Sequence, residues 1–139
     1  MFLGMKHVLP AMLRQNKGSI VNTASISGLV GSPNTAAYIA SKHAVVGLTK
    51  NAAQECAATN VRVNCVCPGP IDGRMMDSIM EGRSPGNAPL ARERLVERIP
   101  ARRFGLASEV ASVVAFLASD EASYVSGSTY TVDGGRTAS

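Results

Sequence analysis

Tryptophan does not occur in this chain, and its 139 residues include only three phenylalanines and three tyrosines. Six scattered rings offer no platform on which nucleic-acid bases could stack. Charge is sparse too, at 17% Asp, Glu, Lys and Arg against 45% hydrophobic residues. That balance excludes a disordered chain, because enough apolar surface is available to offset the entropy of folding. The net charge of +4 is small and spread out. Its densest basic stretch, Arg92 to Arg103, is interrupted by Glu93 and Glu97. It reads as a solvated helix face rather than a nucleic-acid surface.

Long apolar runs are missing as well. Met1-Phe2-Leu3-Gly4-Met5 is apolar, but Lys6, His7 and Pro10 break it before it reaches the length of a signal core or a membrane span. Cysteine is scarce, and Cys56, Cys65 and Cys67 form an odd set. Together these features imply a soluble chain with reduced thiols in a cytoplasm. Cys65-x-Cys67 lies in an alternating apolar run, and neither His7 nor His43 stands at ligand spacing from it. The pair reads as small buried hydrophobes, and no metal is expected.

The length fits one domain. Residues 1 to about 14 carry apolar positions at helical spacing, with Pro10 as a kink. Ser19 to Thr23 reads as a short buried strand between Gly18 and a Ser- and Gly-rich loop running from Ala24 to Thr35. Ser32-Pro33-Asn34-Thr35 is a helix start. An alanine-rich helix is expected from Ala36 to about Ala58, followed by an alternating strand from Val61 to Cys67 that Pro68-Gly69-Pro70 stops. Asp72 to Pro100 is irregular with short helical pieces. Ser108-Glu109 opens a helix ending near Ser119, and Ser128 to Val132 is a third strand closed by Asp133-Gly134-Gly135. Alternating helices and strands predict an α/β fold with a parallel sheet and right-handed crossovers. The first strand looks too apolar for an exposed edge, so something is expected beside Ile20 and Val21.

Ser25 is followed, thirteen positions later, by Tyr38-Ile39-Ala40-Ser41-Lys42. A tyrosine and a lysine four apart project from one helix face. A cation beside a phenol favours the phenolate, and a serine hydroxyl from a nearby loop could hold a substrate oxygen against it. The set reads as general acid/base chemistry on an alcohol or carbonyl. A serine hydrolase is excluded because neither His7 nor His43 has a credible nucleophile partner. Ser27 supplies a second hydroxyl near Ser25, and Ser41 faces another side of the helix and reads as structural.

Across essentially the whole chain these residues resemble the short-chain dehydrogenase/reductase family. Gly18-Ser19-Ile20-Val21-Asn22, Ser25, Tyr38-x-Ala40-Ser41-Lys42, Val61-Arg62-Val63-Asn64, Pro68-Gly69 and Val132-Asp133-Gly134-Gly135 occur in the family's order and approximate spacing. A lone Tyr-x-x-x-Lys is weak; the ordered set is specific. The resemblance implies the C-terminal part of a Rossmann-like doubly wound parallel sheet of about three strands with flanking helices. It implies Tyr38 as general acid/base and Lys42 as the cation that supports it and binds the nicotinamide ribose. Ser25 would orient the substrate oxygen. Pro68, Gly69 and the backbone of Ile71 would line the nicotinamide side of the pocket. The spacing selects Ser25 over Ser27.

Two departures stand out. Where many family members carry a cofactor-contacting threonine after Pro-Gly, this chain has Gly73, which supplies no hydroxyl; weaker cofactor affinity, or a compensating contact, is expected. The glycine-rich turn Thr-Gly-x-x-x-Gly-x-Gly does not occur in the sequence, and nor does the family's Asn-Asn-Ala-Gly strand. That turn cradles the pyrophosphate on backbone amides. The chain therefore reads as a single partial domain, 1–139. Residues 1–70 carry the Ser/Tyr/Lys set, 71–100 form the substrate-binding segment, and 101–139 hold the terminal helix and strand. NAD and NADP cannot be distinguished from it.

The expected function is NAD(P)-dependent interconversion of a secondary alcohol and a ketone, with a small uncharged substrate. The rival is a truncated, catalytically silent member able at most to oligomerise, and silence is the expectation for the isolated chain. Met75, Met76, Ile79 and Met80 suit either a lid over that substrate or an ordinary amphipathic helix covering the sheet, and Gly82 to Gly86 gives mobility. The resemblance also implies homo-oligomerisation through the first helix and the Tyr-Lys helix, where Gly47, Ala52 and Ala53 permit close approach. Neither nucleic acid nor a membrane is expected as a partner. Titrating the 139-residue chain with NADH and NADPH by fluorescence should show no saturable binding below about millimolar. Submillimolar binding of either would overturn the expectation that the glycine-rich half is required.

Overall fold

Three parallel strands carry the fold, in the order β1 (Gly18–Thr23), β2 (Val61–Pro68), β3 (Thr129–Val132). This computed structural model describes residues 1–138. The register runs from Gly18 opposite Val61 to Thr23 opposite Val66, and from Cys65 opposite Thr129 to Pro68 opposite Val132. Helix α1 (Phe2–Gln15) precedes β1, α2 (Ala36–Glu55) joins β1 to β2, and α5 (Ala107–Ala118) leads toward β3. Two further helices, α3 (Arg74–Arg83) and α4 (Ala88–Val96), lie between β2 and α5. The α/β reading therefore stands.

β2 is covered on both faces, which explains its near-continuous burial. Val61, Val63, Cys65 and Cys67 point to one face. There Val61 and Val63 meet Met5 of α1 and Ala52, Ala53 and Cys56 at the end of α2, while Cys65 and Cys67 meet Val46 and Ala24. Val66 points to the other, against Leu117 of α5 and Ala122. Asn64 shares that second face and is wholly buried, yet satisfied: its Nδ2 donates to the Val125 carbonyl at 2.7 Å and its Oδ1 accepts from the Ser128 N–H at 3.1 Å. Each bond contributes about 1 kcal/mol net, whereas an orphaned partner would cost about 1–3 kcal/mol. Asn64 thus fixes the path into β3. Because it takes the Ser128 N–H, regular strand begins at Thr129, one residue later than expected.

Arg62, next to Asn64, reaches α5. Its guanidinium donates to the carbonyls of Leu117 and Ser119, both at 2.8 Å, where the helix dipole favours a cation. At the other end of α5 the Glu109 carboxylate accepts the Leu106 N–H at 2.7 Å and pairs with Arg103 at 2.6 Å. This cap starts the helix at Ala107 rather than Ser108.

The remaining boundaries follow local chemistry. Asn16 closes α1 in the left-handed conformation, with φ 48°, a conformation asparagine tolerates. The helix runs through Pro10 as one element. α2 ends at Glu55, three residues short of the expected Ala58. Thr59 turns the chain there, its hydroxyl donating to the Cys56 carbonyl at 2.7 Å and accepting the Val61 N–H at 3.2 Å. In the stretch expected to be irregular, Asn87 caps α4 by accepting the Leu90 N–H, with Pro89 in the first turn.

Among the described residues nothing pairs with the outer edge of β1, and Ile20 opens onto a groove of about 370 Å³ with Met1, Gly4, Met5, Val8 and Asn22, which leaves room for the neighbour expected there. One expectation needs correction. Ala52 and Ala53, read as small residues for helix approach in a second subunit, are 4% and 6% exposed and packed in the chain's own core. Helical phase turns them inward, and of the three only Gly47 lies on the free face of α2. No helix among the described residues is long and apolar enough to cross a membrane.

The Glu109 cap makes stability depend on pH. Its hydrogen bonds to Arg103 and the Leu106 N–H, with the Arg103 charge, hold its carboxyl down at about 2 from an ordinary value near 4.5. The folded pKa is depressed, so its contribution is complete above about pH 4.5 and is lost as pH falls toward 2. Urea midpoints for wild type and Glu109→Gln should therefore differ at pH 6 and converge as pH falls below 4.5. A constant difference across that range would remove Glu109 from this role.

Candidate functional site

The candidate residues gather at the C-terminal ends of β1 and β2, the end of a parallel sheet where crevices form. β1 runs one residue further as backbone pairing, with the Ala24 N–H donating to the Val66 carbonyl at 2.9 Å. Ser25 follows in extended conformation and caps a one-turn 3-10 helix, Ile26–Gly28, by accepting the Ser27 N–H at 3.1 Å. The Ser25 hydroxyl sits 3.5 Å from the Pro68 carbonyl, a long contact that leaves it free to turn toward a ligand. Of the two serines weighed, Ser25 is the one whose hydroxyl stands against the end of β2.

Gly28 sets how close this loop comes to α2. A Cβ at that position would lie 2.7 Å from the Lys42 carbonyl oxygen and 3.1 Å from Val46 Cγ2. Only glycine allows the Ser25 loop to press on the Lys42 turn. Nothing local in a Ser- and Gly-rich loop marks Gly28 out from Gly31, which has open space around it.

Tyr38 and Lys42 lie one turn apart near the start of α2, as their spacing predicts. The Lys42 ammonium is 5.5 Å from the centre of the Tyr38 ring and 3.5 Å from the Thr23 carbonyl at the end of β1. It forms no ion pair with any described residue. Tyr38 is 47% exposed, so its phenol faces solvent and any incoming molecule. Ser41 turns its hydroxyl back to the Tyr38 carbonyl at 2.7 Å, in keeping with a structural reading. Beneath Lys42, Cys65 and Cys67 stand 4.0 Å apart, sulfur to sulfur. The hydrogen bond to Cys65, then burial, pushes the Cys67 thiol well above the ordinary thiol range, so it stays neutral.

The Pro68–Ile71 segment forms the opposite wall. Gly69 donates its N–H to the Val132 carbonyl at 3.0 Å, and a Cβ there would stand 2.8 Å from the Asp133 Cβ. Asp133 in turn accepts from the Gly135 and Thr137 N–H groups and from the Thr137 hydroxyl, which closes the turn after β3. Ile71 makes an isolated parallel bridge with Gly105, built from Gly105 N–H to the Pro70 carbonyl at 3.0 Å and Asp72 N–H to the Gly105 carbonyl at 2.8 Å. In a parallel bridge the central residue's own groups point the other way. The N–H and C=O of Ile71 are therefore a free donor and acceptor on one residue.

The structure divides the apolar face of α3. Met80 is buried with Ile99 and Phe104, and Met76 packs against them, so these two methionines serve the core of the α3–α4 hairpin. Met75 and Ile79 are 76% and 37% exposed. Gly73 has open space around it but adopts φ 144°, a conformation that L side chains rarely take. A threonine there would strain the turn, so glycine has a conformational reason that its missing hydroxyl did not reveal. Sequence reading also passed over Asp72 and Arg92, which pair at 2.9 Å across a separation of twenty residues that leaves no local signal.

A family model described as enoyl-(acyl carrier protein) reductase matches residues 1–137. The chain is 44% identical over 137 residues to levodione reductase of Leifsonia aquatica, covering 99% of this chain and 51% of that enzyme. It is 47% identical over 128 residues to the 3-oxoacyl-(acyl-carrier-protein) reductase of Thermotoga maritima, covering 92% and 49%. With 2-(S)-hydroxypropyl-CoM dehydrogenase 3 of Xanthobacter autotrophicus it shares 42% identity over 137 residues, covering 99% and 53%. The crystal structure of levodione reductase superposes with a TM-score of 0.97 at 43% identity, covering 99% of this chain and 54% of that one. The solved structure of 4-hydroxyisoleucine dehydrogenase complexed with NADH gives 0.88 at 34% identity, covering 99% and 55%. The chain spans about half the length of the curated relatives it matches.

The contact at Gly28 is directly testable. Gly28→Ala must push the Ser25 loop off the Lys42 turn, and overpacking of this kind costs about 1–3 kcal/mol. Urea denaturation should show that loss, while Gly31→Ala, with open space, should stay within about 0.5 kcal/mol of wild type. Equal effects at the two glycines would refute the close approach.

Proposed function

Because the chain belongs to the short-chain dehydrogenase/reductase family, we propose that it carries the catalytic residues of a nicotinamide-dependent oxidoreductase interconverting a secondary alcohol and a ketone. One observation carries this reading. The Tyr38 phenol, the Lys42 ammonium and the Ser25 hydroxyl stand at one end of the sheet, where Ser25 meets the Pro68 carbonyl as β2 leaves toward Ile71 and its free amide groups.

Each residue has a role its geometry supports. Tyr38 passes its proton to the carbonyl oxygen during reduction and takes it back during oxidation; its exposure lets a substrate reach the hydroxyl. Ser25 donates a hydrogen bond to the same oxygen and orients it. Lys42 places a positive charge beside the phenol while keeping ammonium protons free for a ribose hydroxyl.

The residues present fit the nicotinamide end of the cofactor. Ile71 offers one N–H and one C=O, the complement of a carboxamide, and Pro68–Gly69 forms a wall held rigid by Asp133. A bound nicotinamide supplies or accepts the hydride. NAD and NADP both remain open, and structural neighbours include one protein with NADP bound and one complexed with NADH.

The exposed Met75 and Ile79 support a small, uncharged substrate. The names of two relatives specify an oxo and a hydroxy group, the two ends of this same interconversion. A second copy of the chain, meeting the exposed Phe2, Leu3 and Val8 of α1 and the Gly47 face of α2, would cover surface that is otherwise apolar.

Tyr38→Phe decides the central role. In a version joined to the glycine-rich half of a family member, turnover of a ketone with NADH or NADPH should fall by about 10²–10⁴-fold, with cofactor binding nearly unchanged. Residual turnover near wild type would remove Tyr38 from the chemistry. A wild type completed in this way and inactive with both cofactors would sink the proposal.

A further inference from the structure

The stretch between Ile71 and Phe104 is built as a unit of its own. α3 and α4 pack against each other, closing over Met80, Ile99 and Phe104 at 2%, 1% and 5% exposure. The unit leaves the site segment through Gly73, whose φ of 144° and open surroundings let the backbone swing without a side chain colliding. It returns through Phe104 and Gly105, and Gly105 is bridged to Ile71.

One side chain spans the seam between this hairpin and the site. Arg92, on α4, donates from Nη2 to Asp72 Oδ1 at 2.9 Å, holds Nη1 4.0 Å from Asp77 Oδ1 on α3, and stacks its guanidinium 4.3 Å from the centre of the Phe104 ring. Asp72 is tied to the site wall: its N–H donates to the Gly105 carbonyl at 2.8 Å, next to Ile71. The pair is thus anchored to the hairpin at one end and to the site wall at the other. Both side chains are partly exposed, at 39% and 47%, so the ion pair adds little to global stability. A planar fork stacked on an aromatic ring is nevertheless geometrically defined. Such a contact is weak enough to open and specific enough to close in one place.

We propose that Arg92 is a latch that fixes the angle of the α3–α4 hairpin to the Pro68–Ile71 wall, with Gly73 as the hinge. Resting on the oxidoreductase reading above, it is a positioning residue: it sets where Met75 and Ile79 stand against the substrate and touches no reacting atom.

The test uses hydrogen exchange on the 139-residue chain and steady-state turnover of the same substitutions in the version joined to a family member's glycine-rich half. Arg92→Met and Asp72→Asn should each speed exchange of the α3 amides by at least about threefold and leave the β2 amides unchanged, because opening is local. The double variant should be no faster than either single one, since both remove one contact. Arg92→Lys should lie between wild type and Arg92→Met, because it keeps the charge without the fork. The KM for the carbonyl substrate should rise in the same order, with kcat and the cofactor KM within about twofold. Unchanged α3 exchange, additive effects in the double variant, or faster exchange with an unchanged KM would each overturn the latch. Turnover missing from wild type and variants alike would count against the oxidoreductase reading alone, and the exchange results would still decide whether Arg92 restrains the hairpin.

Discussion

Burial of β2 on both faces is the constraint from which the rest of this structure follows. A strand with no solvent face must find a partner for every polar group and a surface for every side chain. Val61, Val63, Cys65 and Cys67 meet that demand against α1, α2 and Ala24, and Val66 meets it against α5. The two polar residues in the strand are used as ties. Asn64 fixes the backbone leading into β3, and Arg62 holds the C-terminal end of α5. With the central strand so determined, Pro68 and Gly69 emerge at one defined place, and the site is assembled around that exit.

The site itself depends on close backbone approaches more than on side-chain packing. Gly28 brings the Ser25 loop onto the Lys42 turn, and Gly69 lets the exit of β2 pass the Asp133 turn. These two contacts allow Tyr38 to stay exposed and Lys42 half-buried beside it while the backbone around them is packed closely. Exposure is needed if a substrate is to reach the phenol, and rigidity is needed if serine, tyrosine and lysine are to act on one oxygen. The α3–α4 hairpin meets a different demand. It keeps a small core of its own and joins the wall through Asp72, Arg92 and Gly73, the seam at which the proposed latch acts.

Much of this was legible in the residues. Strand alternation placed β2 almost to the residue, and the i, i+4 spacing put Tyr38 and Lys42 on one helix face. The misreadings have specific causes. Thr59 ended α2 early because its hydroxyl serves two backbone groups, a competition that propensity does not weigh. Ala52 and Ala53 looked available for a second subunit because composition carries no phase; the core of α1 and β2 claimed them. Met80 and Met76, open between a lid and a packing face in the sequence, went to packing because Ile99 and Phe104 supply a core for them.

By itself the sequence determined the α/β class, the order of the elements and the family, and it singled out Ser25, Tyr38 and Lys42 as the candidate set. Each of these rests on local periodicity or on motif spacing, which a linear chain records directly. Tertiary structure alone decided which glycines are contacts, that Gly73 is held at φ 144°, that Ile71 leaves its amide groups free, and that Arg92 finds Asp72. Those features are distances between segments remote in sequence or backbone angles imposed by packing. Neither exists until the chain has closed on itself.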